Sequence, residues 1–124
     1  MKIPIQTNKK KFYRQVLEVL RSLPPLDTLR SRELSLLSMI MYYNDLYKSV
    51  DENIRWRIIN DTMTRKEIQK ELNMNEYLFS NNLSIIKKAG VISKDGALVK
   101  FLQISPENNK FGITFTFNIS EDNG

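Results

Sequence analysis

The side chains in this chain that can do specific chemistry are amines and amides rather than nucleophiles or metal ligands. Lys9, Lys10 and Lys11 form a cationic run, and Lys66, Lys87, Lys88 and Lys110 recur later. Asn75, Asn81, Asn82 and Ser84 stand among them. Ammonium groups neutralise phosphates, and an Asn amide presents a donor beside an acceptor, matching an adenine edge. Arg55-Trp56-Arg57 has two readings: a cation–aromatic–cation grip on nucleic acid, or a core-edge Trp covered by Arg stems. The chain has no histidine and no cysteine. Ordinary Cys/His zinc sites, a histidine triad, thiol chemistry and disulfides are therefore excluded. No carboxylates are paired at an acid/base spacing, and the four glycines form no phosphate-cradling loop. The expectation is a non-enzymatic protein with no cofactor, no metal and no identifiable small-molecule site.

The elements that must hold these groups are legible as patterns. At 124 residues, 41% hydrophobic and 27% charged, the chain suits one domain with a real core. The net charge of +5 is unevenly spread: residues 1–14 carry Lys2, Lys9, Lys10, Lys11 and Arg14 and no acid. No apolar run approaches the ~20 residues that cross a bilayer, and the start lacks an apolar signal region. A cytoplasmic setting is expected, or the virion or infected-cell cytoplasm if the chain is phage-encoded. Residues 1–30 read as a basic arm and a helix, with Phe12, Tyr13, Val16, Leu17, Leu20 and Leu23 at helical spacing before Pro24-Pro25. The lysines at its start either lie on a solvated arm or await an anionic partner.

Ser31 is a plausible N-cap for a helix that is apolar over most of its circumference from Leu34 to Tyr47. Such a helix is central to a core, or it lends one face to another protein or a second copy. Met39, Tyr42 and Tyr43 suit the second role. Ser49 and Glu52 form a capping box for a third helix. The best-specified stretch is TRKEIQKELNMNEYLFSNNLSIIKKAGVI, residues 64–92. Thr64 and Glu67 make a capping box, and Met63 and Ile68 stand as its staple. Asn73 suits a left-handed turn, Asn75 a second N-cap, and Gly90 the stop. Phe79, Leu83 and Ile86 form the inward stripe. After Gly90 the period becomes alternating. Asp95-Gly96 signals a tight turn, residues 97–104 a strand, SPENNK a loop, and residues 111–119 a half-buried antiparallel strand. Residues 120–124 read as an acidic tail.

Helices, a helix-turn-helix and then a hairpin is the order of a winged helix-turn-helix domain. The stretch 64–92 resembles the turn, recognition helix and entry to the wing of MarR-like and phage or plasmid replication-type winged helices. The resemblance implies an α+β, mainly α fold: a winged helix over residues 31–119, an N-terminal helical extension and a C-terminal β-hairpin wing. It further implies a small transcriptional regulator or replication accessory that reads double-stranded DNA with helix 75–89. Asn75, Asn81, Asn82 and Ser84 would enter the major groove. Lys66, Lys87 and Lys88 would meet phosphates, with Lys110 at the wing and Lys9, Lys10 and Lys11 adding charge.

The residues also support an alternative. The recognition helix carries no Arg or Lys before Lys87, and Glu76 stands at its tip. If Phe79, Leu83 and Ile86 face inward, Leu78 and Ile85 fall nearer the surface. An apolar face there, with Met39, Tyr42 and Tyr43, suits protein contacts: a homodimer through helix 34–47, or an assembly component of a phage particle or polymerase complex.

Overall fold

In a computed structural model, which describes residues 2–121, the chain folds as five helices: α1 (Lys9–Leu20), α2 (Ser31–Leu46), α3 (Glu52–Ile59), α4 (Thr62–Leu72) and α5 (Glu76–Lys88). Short 3-10 turns cover Leu26–Thr28 and Lys100–Leu102. The centre is α2, which packs against each of the other four helices. Leu34, Leu36, Leu37, Ile40, Met41 and Tyr43 are all buried along it. Its broad apolar circumference thus has a structural cause: neighbours surround it on several sides.

The helix starts are set by different residues than the sequence motifs suggest. Asn8 caps α1 by accepting the Lys11 N–H at 3.0 Å. The lysines therefore occupy the first helical turn rather than a solvated arm. Their charge opposes the dipole there, and Lys9 and Lys10 instead find acids, Asp45 at 2.9 Å and Glu71 at 3.0 Å. Ser31 is the first helical residue of α2, and the Glu33 carboxylate reaches back to the Arg30 N–H at 3.2 Å. Asp51, not Ser49, precedes α3 as its cap residue. α4 begins two residues before Thr64. Asp61 caps it by accepting the Thr64 N–H at 2.8 Å, and Thr64 Oγ1 donates to the Ile58 carbonyl at 2.8 Å. Met63 is 73% exposed, so the expected staple is absent.

The expected α+β fold with a C-terminal β-hairpin wing is overturned: among the described residues no strand or sheet forms, and the fold is all-α. Two isolated antiparallel bridges remain, Ile92 with Leu98 and Glu107 with Lys110. Both expected turns do form. Gly96 (φ +85°) closes the first, where a Cβ would lie 2.4 Å from the Asn60 amide. Asn108 (φ 52°) and Asn109 (φ 59°) supply the positive dihedrals that a tight hairpin turn demands. The ladder fails because residues 97–104 do not stay extended. The Lys100–Leu102 turn buries Leu98 and Leu102, four residues apart, and leaves Phe101 exposed. That turn breaks the extended run, and among the described residues the backbone of residues 111–119 is left without a strand partner.

Candidate nucleic-acid interface

The α4–turn–α5 unit follows directly from its sequence. Asn73 takes the left-handed conformation (φ 54°), and the Met74 N–H bonds back to the Gln69 carbonyl at 2.8 Å. Asn75 Oδ1 accepts the Leu78 N–H at 2.8 Å and starts α5. Gly90 (φ +83°) follows its end, where L side chains are strained and glycine is not. Phe79, Leu83 and Ile86 are buried on the side of α5 that packs on α2. That orientation fixes an outer face. Tyr77, Asn81, Ser84 and Lys88 recur at spacings of four, three and four and are all exposed, with Ser80 beside them.

The structure sorts the expected DNA-contacting residues into several places. Asn81, Ser84 and Lys88 share the outer face of α5, and Lys66 is exposed on α4. Asn82 points the other way: it is buried, with its amide 3.7 Å from Met74 Sδ, and cannot meet a base edge. Asn75 is exposed, but its side-chain oxygen is committed to the cap. Lys87 is half-buried. Lys110 closes the Glu107–Lys110 turn. Lys11 is exposed beside a groove between α1, α2 and the end of α4, whose other walls include Arg14, Ser35, Met39 and Glu71. Arg14 is held there by Glu18, Ser31 and Ser35.

Tyr77 and Ser80 were not singled out by sequence reasoning. The signal was present, since Tyr77 precedes Asn81 by four residues. Tyr77 is 77% exposed and is the largest side chain on the outer face. Glu76 at the tip is engaged sideways: Gln69 Nε2 donates to it at 2.6 Å and Ser80 Oγ at 3.4 Å. Its charge also suits the positive end of the helix dipole.

The apolar residues of the alternative interface are largely spent on packing. Leu78 is half-buried. Met39, Tyr42 and Ile85 are half-buried against the core cluster. Tyr43 is buried, and its hydroxyl donates to Glu67 Oε2 at 3.0 Å. Burial, reinforced by that carboxylate, pushes the Tyr43 pKa up to about 12. Trp56 is buried, while Arg55 donates to the Val50 and Lys48 carbonyls and to Asn44. Arg55 and Trp56 are therefore part of the body of the fold, while Arg57 is exposed.

A second cluster lies at the end of α2. The buried Asp45 carboxylate takes Lys9 Nζ at 2.9 Å, Lys48 Nζ at 3.6 Å and the Ser105 hydroxyl. The buried Tyr13 hydroxyl lies against the same carboxylate, short of a well-formed hydrogen bond. Burial, with that negative charge, pushes the Tyr13 pKa far above the ordinary phenol value.

Among the described residues no group of three or more acidic side chains is placed to hold a metal ion, and no helix is long and apolar enough to cross a membrane. What the site offers is an exposed polar helix face that ends in Lys88. No family model, no curated protein and no solved structure matches this chain.

Proposed function

We propose that this is a small, non-enzymatic DNA-binding protein of the cytoplasm, a transcriptional regulator or replication accessory, that lays the outer face of α5 in the major groove of duplex DNA. One observation carries this reading. Tyr77, Ser80, Asn81, Ser84 and Lys88 form a continuous exposed polar face on the second helix of a turn built on Asn73. The apolar outer face that would argue against DNA is reduced, because Leu78 and Ile85 are each half-buried, Ile85 against the core cluster. Asn81 has its donor and acceptor free to pair with an adenine edge, while Lys88 and Lys66 neutralise phosphates. Fluorescence anisotropy with random and selected duplexes over a range of salt tests this. Binding that weakens linearly in log[salt] is expected. No binding up to ~100 µM protein at low salt, weaker than ordinary non-specific association, overturns it.

A second reading, a protein-assembly component of a phage particle or polymerase complex, is favoured by a different feature. Large apolar side chains of residues 111–119 are exposed on an extended segment.

A further inference from the structure

Residues 111–121 run without helix, turn or bend, lying against the helical body at Phe111 and leaving it toward Ile119. Along them exposure rises outward: Phe111, Ile113 and Phe115 are 41%, 38% and 50% exposed, partly covered by the body, and Phe117 and Ile119 are 84% and 88% exposed. Among the described residues their backbone makes no hydrogen bond to any other backbone group. An extended, uncharged, alternating segment with open N–H and C=O groups is a template for another strand. Its base is fixed. The Phe111 ring meets the Phe12 ring edge-on with centroids 5.4 Å apart, and Ser105 is bonded to Asp45. The segment therefore projects from an anchored point and needs little further ordering there.

We propose that this segment pairs with the same segment of a second copy, as a two-fold antiparallel ladder centred on Phe115. Two features of the chain fit that occupant and set its orientation. The first is internal symmetry. About Phe115, the register sets Phe111 against Ile119 and Ile113 against Phe117 on one face. On the other face it sets Thr114 against Thr116 and Gly112 against Asn118. Every apolar side chain meets an apolar one, and a one-residue slip would oppose each to a polar residue or to Gly112. The second is charge. Between Lys110 and Glu121 the segment carries no ionisable group. Antiparallel pairing brings the Lys110 end of each copy to the Glu121 end of the other. Parallel pairing in register would stack Lys110 on Lys110 and Glu121 on Glu121. The interface lies on the arm, so the outer face of α5 stays free.

The absence of cysteine from the chain makes the register directly testable. Analytical ultracentrifugation of the full chain is expected to show a monomer–dimer equilibrium. Phe115→Asp, which places two carboxylates on the axis, is expected to raise the dissociation constant more than about tenfold while leaving the helical circular-dichroism spectrum unchanged. Under mild oxidation Phe115→Cys is expected to give a covalent dimer. Ile119→Cys is not, because its counterpart would lie eight residues, about 27 Å, along the ladder. A monomer up to ~100 µM, beyond any specific micromolar dimer, overturns the proposal. So does a dimer insensitive to Phe115→Asp, or equal cross-linking at the two positions. A monomer whose 111–119 amides are protected from exchange also overturns it, since the partner would then lie within the chain.

Discussion

Ser105 donates a hydrogen bond to the carboxylate of Asp45, sixty residues earlier in the chain. The bond fastens the start of the C-terminal extended segment to the end of α2. The same carboxylate holds Lys9, at the start of α1. One buried acid therefore ties together the two terminal segments and the central helix.

Removing that acid should cost more than a surface ion pair. Asp45→Ala leaves the Ser105 hydroxyl without its acceptor and frees Lys9 in a helix turn where its charge is unfavourable. A loss of about 2–4 kcal/mol in urea unfolding is expected. Asp45→Asn keeps an acceptor and should cost about half as much. Lys10→Gln breaks only the exposed pair with Glu71 and should stay within about 0.5 kcal/mol of wild type.

The same site predicts an acid sensitivity. Burial would raise the Asp45 pKa, but the Ser105 hydrogen bond, the adjacent Tyr13 hydroxyl and the Lys9 ammonium outweigh it and hold it at about 2, below the ordinary 3.8. Between those values the unfolded chain binds more protons than the folded one. The contribution is therefore fully present above about pH 4 and is lost as pH falls toward 2, amounting to about 2 kcal/mol. Urea midpoints of wild type and Asp45→Asn across that window should converge as the solution is acidified. Parallel pH profiles would show that the carboxylate is not held in this way.

The start of α4 separates two capping schemes. Thr64→Ala should cost about 1–2 kcal/mol, because the Ile58 carbonyl loses its buried donor. Asp61→Ala should cost about 1 kcal/mol as a lost N-cap. Met63→Ala should fall within about 0.5 kcal/mol of wild type, since the side chain is solvated. A staple at Met63 would reverse the order of the first and last in thermal melts.

Two adjacent asparagines should behave differently toward DNA. Asn81→Ala is expected to reduce affinity for a selected duplex by about 1–3 kcal/mol and to relax preference at one base pair. Asn82→Ala should lower stability and leave base preference unchanged. Lys88→Gln should weaken binding to all sequences alike and reduce the salt slope by about one. Lys9→Gln should act on stability and not on that slope, because Lys9 is held by Asp45. Anisotropy titrations beside thermal melts read out all four.

The helix-turn-helix pair was legible because its signals are local. An αL Asn73, an Asn75 cap, a Gly90 stop and the Phe79–Leu83–Ile86 stripe each act within a few residues. Helix α2 was legible through its unusually broad apolar surface. The caps of α2, α3 and α4 were less so, because several neighbouring residues at each start can accept the same N–H groups. At Thr64 the competing acceptor, the Ile58 carbonyl, comes from the preceding helix. The fate of Lys9 and Lys10 was not legible at all, since Asp45 and Glu71 lie on other helices.

The sequence by itself determined five helical segments, the turn at Asn73, the inward face of α5 and the alternating character of residues 111–119. Only the tertiary structure decided which side of α5 is free, that Asn82 is buried while Asn81 is not, and that the expected wing does not form. The physical reason is one of range. Periodicity and capping are satisfied by groups a few residues apart, so the chain carries them locally. A strand is completed only by a neighbour, and here the Lys100–Leu102 turn breaks the run that residues 111–119 would have paired with.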